Sequence, residues 1–91
     1  MIKNILDRVL LSLYHEDRYY RYPINQILNN CDVMVIDYQE QLQLASQLKK
    51  DGLVELSASG GIIKLQLLDT GVIFCETTSY SQPNVPIIKQ M

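Results

Sequence analysis

Ninety-one residues of 10.5 kDa make one domain of small size, too short for a two-lobed enzyme with a cleft between the lobes. Hydrophobic residues at 47% and charged residues at 20% lie near globular averages, which excludes a disordered, collagen-like or coiled-coil chain. Lys and Arg number 8 against 10 Asp and Glu, a net charge of -2, and this weighs against a strong grip on nucleic acid, which usually needs a cationic surplus.

A helix is expected over residues 2–15, where Ile2, Ile5, Leu6, Val9, Leu10 and Leu13 recur at helical spacing with Lys3, Asn4, Asp7, Arg8 and Ser12 opposite. Asp7 and Arg8 interrupt the apolar run too early for a signal peptide, and no apolar stretch approaches the length of a membrane span. A cytoplasmic address is the expectation. Tyr19-Tyr20-Arg21-Tyr22 reads as a short strand. Pro23 disfavours helix at Tyr22 and fits the first turn of a second helix, whose stripe is Ile24, Ile27 and Leu28 and which ends at Asn29-Asn30.

Residues 31–36 fit a buried connector, a strand or a helical turn equally. Asp37 with Glu40 three residues on has the spacing of a capping box and starts a third helix, 37–50. Tyr38, Gln41, Leu42, Leu44, Ala45 and Leu48 fall on one half of it, and Gln39, Glu40, Gln43, Ser46, Gln47 and Lys50 on the other. Gly52 is placed to close the helix. Two strands, 53–57 and 62–67, follow as a hairpin around Ala58-Ser59-Gly60-Gly61, with a turn of either two or four residues. Val54, Leu56, Ile63, Leu65 and Leu67 share its buried face in both registers. Beyond it, Val72, Phe74 and Cys75 suggest a short helical turn that Gly71 weakens. Residues 77–91, with Pro83 and Pro86, read as an extended tail after a domain of residues 1–76.

The order helix, short strand, helix, helix, hairpin resembles the winged helix-turn-helix fold over about residues 2–76. The most specific local match is Gln47-Leu48-Lys49-Lys50-Asp51-Gly52-Leu53-Val54-Glu55, which is similar to the junction where such domains pass from the third helix into the wing. A second is Leu67-Leu68-Asp69-Thr70-Gly71-Val72-Ile73-Phe74-Cys75-Glu76, in which Leu68 replaces the usual Thr cap and Asp69 would have to serve instead. The expected class is therefore α+β: a small winged helix-turn-helix of three helices, a two-stranded hairpin wing and a short C-terminal helical turn. The resemblance implies duplex DNA binding, with the third helix in the major groove and the wing on the backbone. At the matching positions stand Gln39, Gln43, Ser46, Gln47 and Lys50 on the helix and Ser59, Gly60, Gly61 and Lys64 in the wing, with Arg18 and Arg21 placed to touch phosphate beside them. Gln suits an adenine edge and Ser a base or a phosphate. Glu40 offsets Lys50, however, and Glu55 offsets Lys64, so a solvated polar face explains the same residues.

Tyr14, Tyr19, Tyr20 and Tyr22 crowd around Arg18, Arg21 and the one histidine, His15, in residue types that recur at interface hot spots. Two tyrosines packing on the core while two flank a turn accounts for the segment as well. The tail carries Tyr80, Val85, Ile87 and Ile88, apolar groups that call for cover from the same chain or from a second copy. Cys31, Cys75 and His15 have no metal-ligand spacing, the cysteines read as small buried hydrophobes, and Gly60-Gly61 lacks the lysine and helix of a phosphate loop. No catalytic site, cofactor or metal is expected. Two functions are carried forward. One is a small transcriptional regulator, a homodimer reading duplex DNA with helix 37–50; the other is a protein-interaction or structural module that uses Tyr19, Tyr20, Tyr22 or the tail and no nucleic acid.

Overall fold

The computed structural model describes residues 2–17, 19–31 and 37–90, with the side chain of Ile2 left out. Helix α1 (Ile2–His15) has the expected extent and buries Leu6, Val9, Leu10 and Leu13. It lies at the centre of the molecule, against each of the other described helices and the middle strand of the sheet. The strand expected at 19–22 is shorter and later: β1 is Tyr22–Pro23. The reason is local. Asp17 Oδ1 accepts the Tyr19 N–H at 2.9 Å and the Asp17 carbonyl accepts the Tyr20 N–H at 3.3 Å, so side-chain bonding makes a turn where a ladder would otherwise run.

Helix α2 (Ile24–Asn30) buries Ile24, Ile27 and Leu28 as expected, with Pro23 at its N-cap rather than inside its first turn. The ambiguous run after Cys31, residues 32–36, lies outside the described residues. Helix α3 (Tyr38–Lys50) begins as read from the sequence, since Asp37 Oδ1 accepts the Glu40 N–H at 2.8 Å, and it buries Leu44, Ala45 and Leu48. Its end is a Schellman motif: Gly52, at φ +75°, donates to the Lys49 carbonyl and Leu53 to that of Leu48. Leu48 and Leu53, both buried, supply the apolar contact that accompanies the motif.

Strands β2 (Val54–Ser59) and β3 (Ile62–Leu67) settle the turn at two residues, Gly60 and Gly61, both at positive φ as a primed hairpin turn requires. Val54 faces Leu67, Leu56 faces Leu65 and Ala58 faces Ile63, so the buried side is the expected one. The expected two-stranded hairpin is one strand short. β1 pairs antiparallel with β3, Tyr22 opposite Leu65 and Pro23 opposite Lys64, and the sheet runs β1-β3-β2. Proline has no N–H to give a second neighbour, which suits an edge strand.

The helical turn expected near residue 72 is a full helix, α4 (Asp69–Thr77), which makes four α-helices among the described residues. Asp69 does not cap it. Leu68 holds the N-cap position without a side-chain bond, while Asp69 sits in the first turn, where its charge suits the positive pole of the helix. Gly71 is buried where α4 crosses the end of the sheet, and a Cβ there would lie 2.3 Å from the Leu53 carbonyl oxygen and 2.5 Å from Leu67 Cδ1. The glycine that weakens the helix by propensity is what allows it to dock.

The C-terminal segment folds back on α1 and α4 and ends in a 3-10 turn, Ile87–Lys89. Ile87 is 1% exposed, and Ser79 is buried with its hydroxyl donating to the Gln82 carbonyl at 2.6 Å. Asp7, 4% exposed, anchors the segment: its carboxylate accepts the Tyr80 N–H at 2.7 Å, the Ser81 N–H at 3.0 Å and the Ser81 hydroxyl. The radius of gyration is 11.9 Å, matching the roughly 12 Å of a compact chain of this length.

Candidate nucleic-acid interface

Burying Leu44, Ala45 and Leu48 turns the opposite side of α3 outward. Gln39, Gln43, Ser46, Gln47 and Lys50 are all exposed there, together with Glu40. The sheet does the same for its outer face. Alternation along β2 and β3 points Ser57, Ser59, Ile62 and Lys64 away from the core, and the β1 pairing brings Arg21 to them. Arg21, Ser57, Ser59, Ile62 and Lys64 line one groove of about 410 Å³. Two cations that stand 43 positions apart in the chain thus share a surface with two hydroxyls, and Glu55 lies on the same outer face nearer the base of the hairpin, in register with Gln66. Arg18, expected beside them, lies outside the described residues.

The end of α3 is tied down by residues that periodicity does not single out. Asp51 Oδ2 accepts from Gln47 Nε2 at 2.9 Å and from the Tyr80 hydroxyl at 2.5 Å. The Tyr80 bond, followed by the Gln47 bond, holds the Asp51 carboxyl below the usual range, while burial and the neighbouring Asp51 push the Tyr80 phenol up, so it stays a donor. The Tyr80 ring lies on Phe74, centroids 5.0 Å apart. The spacing of Gln47 and Asp51, one helical turn, could have shown the first of these bonds. The Tyr80 bond spans 29 residues and has no local signal.

The tyrosine segment divides two and two. Tyr14 and Tyr22 pack against the core, Tyr14 donating to Glu76 Oε2 at 2.8 Å and Tyr22 accepting the Asp17 N–H at 3.1 Å, while Tyr19 is 89% and Tyr20 63% exposed. Between α1 and α2 a second, open cleft of about 590 Å³ is lined by Arg8, Leu11, Ser12, His15, Glu16 and Cys31. Among the described residues no His, Cys, Asp or Glu cluster is placed to hold a metal ion, and no helix is long and apolar enough to cross a membrane.

Compared with protein-family models, with curated proteins and with solved structures, the chain matches none of them.

Proposed function

We propose that the chain is a winged-helix protein that binds duplex DNA, laying the exposed face of α3 in the major groove and the outer face of the hairpin along the backbone. One observation carries this reading: the sheet order β1-β3-β2, fed directly from α3, sets Arg21 and Lys64 in one groove on the same molecule that turns a glutamine-rich helix face outward. The helix supplies hydrogen-bonding groups for base edges and the groove supplies charge for phosphate.

The charge balance sets the strength. Arg21, Lys50 and Lys64 are opposed by Glu40 and Glu55, so binding rests on about three phosphate contacts, and the slope of log affinity against log salt is expected near -2 to -3. Fluorescence anisotropy with a random-sequence duplex between about 50 and 200 mM salt measures this, and Lys64→Ala should flatten the slope by about 1. No binding at the low end, or a slope unmoved by Lys64→Ala, rejects the reading. A regulator of this kind commonly works as a two-fold dimer on a palindromic site, and light scattering of the protein bound to DNA decides that point.

A second reading has its own support. Tyr19 and Tyr20 stand out from the turn after α1 with most of their surface in water, the residue type and exposure of a protein-binding hot spot. It predicts no detectable binding of random-sequence duplex at about 50 mM salt.

A further inference from the structure

The two edges of the sheet differ. On one side β1 is only Tyr22–Pro23, and its proline has no N–H to offer a newcomer. On the other, β2 runs in unbroken register with β3 over Val54–Ser59, and it has no lysine, proline or bulge of the kind that ordinarily keeps an edge strand from pairing. Glu55 is its one charge. The hairpin fixes which of its backbone groups face outward. With Gly60 and Gly61 both at positive φ, the turn is closed by Ser59 bonding Ile62, and the alternation of an antiparallel ladder then turns Ser57 and Glu55 towards β3 as well. Val54, Leu56 and Ala58 therefore aim their N–H and C=O groups away from β3, and among the described residues no hydrogen bond takes them up.

From this we propose that β2 pairs antiparallel with β2 of a second copy of the chain, about a two-fold axis at Leu56. That register sets Leu56 against the partner's Leu56 and Val54 against the partner's Ala58, so every outward group of the strand finds a mate. Leu56 is only partly buried within one chain, and its own copy covers it. On the outer face Glu55 meets the partner's Ser57, whose hydroxyl is a donor for the carboxylate. The neighbouring registers are worse. Slipped by one hydrogen-bonded step one way, the two Glu55 carboxylates stand face to face; slipped the other way, Val54 lies opposite Gly60, beyond the end of the strand. This self-complementarity is what favours a second copy over an unrelated strand. The axis stands perpendicular to the sheet, so both outer faces look the same way and two Arg21–Lys64 grooves share one surface. The pairing itself does not depend on the DNA-binding reading.

Sedimentation velocity of the full chain from about 10 μM to 1 mM tests this, a span suited to an interface built on one short ladder. The mass should rise from 10.5 kDa towards twice that value, and a monomer throughout overturns the proposal. Ala58→Pro removes an outward N–H and none that β3 uses, so it should leave a folded monomer; a folded Ala58→Pro that still dimerises overturns the proposal. Ser57→Glu sets carboxylates against the partner's Glu55 and should weaken association about tenfold, while Ser57→Glu combined with Glu55→Lys pairs opposite charges across the axis and should return it to within about threefold of wild type. A double variant as weak as Ser57→Glu overturns the register. Amide exchange in the wild type needs no variant: the Leu56 and Ala58 N–H groups should become more protected as concentration rises, and protection that ignores concentration overturns the pairing.

Discussion

Gly71 shows how one residue can carry opposite signs in sequence and in structure. By propensity, alanine in the first turn of α4 is worth at most about 1 kcal/mol more than glycine. By packing, the new Cβ would meet the Leu53 carbonyl oxygen at 2.3 Å, and that oxygen is backbone and already accepts the Leu68 N–H at 3.0 Å. Leu67 Cδ1, at 2.5 Å, could swing aside, but the carbonyl can move only by lengthening its hydrogen bond. Overpacking of this kind costs about 1–3 kcal/mol and a weakened hydrogen bond about 1 more, so packing outweighs propensity. Gly71→Ala should lower stability by about 2 kcal/mol in urea unfolding. A midpoint at or above that of wild type would mean that α4 can back away from the sheet.

At the scale of elements, the C-terminal segment is the part most dependent on a single distant group. Asp7, on α1, satisfies two backbone N–H groups and a hydroxyl of residues 80 and 81 from a nearly water-free position. Asp7→Ala leaves those donors without their acceptor, at about 1–3 kcal/mol for each that water does not reach. The expected result is a loss of about 3 kcal/mol in urea unfolding, with proteolysis near residue 80 becoming faster than anywhere else in the chain. Uniform sensitivity to protease would show that the segment is held by Ile87 and its neighbours instead. The contrast with α1 and α3 explains what sequence alone could reveal. Those helices announce themselves because Leu6, Val9, Leu10 and Leu13, or Leu44, Ala45 and Leu48, repeat within a few residues and bury together. Asp37 caps Glu40 at a spacing that reads directly. The packing of residues 78–90 depends on a partner more than 70 positions away, and β1 depends on Leu65, so neither has a local pattern to read. The candidate interface divides the same way: the exposed face of α3 follows from periodicity, but the meeting of Arg21 with Lys64 follows only from the sheet order.

Across the whole molecule the perturbed acids and phenols point to one weakness, at alkaline pH. Cys75 is buried against α1, and burial first, then the charges of Asp7 and Glu76, push its thiol from an ordinary 9.0 to about 12. Tyr80 is pushed up from 10.0 by burial and by its bond to Asp51, and Tyr14 by its bond to Glu76. Each of these groups is held in its neutral form by folding. As pH rises past 9 the unfolded chain gives up the Cys75 proton while the folded chain keeps it, so the unfolded state gains and stability falls, by about 1.4 kcal/mol per pH unit for one such group. That contribution is complete below pH 9 and is lost by about pH 12. Asp51 has the opposite sign: its lowered carboxyl stabilises the fold above its ordinary 3.8 and the benefit is lost as pH falls below that value. Unfolding free energy from urea titrations should therefore fall steeply above pH 9, and in Cys75→Ala the onset should move up towards the ordinary tyrosine range near 10. The same onset in wild type and Cys75→Ala would place the weakness elsewhere than at the buried thiol.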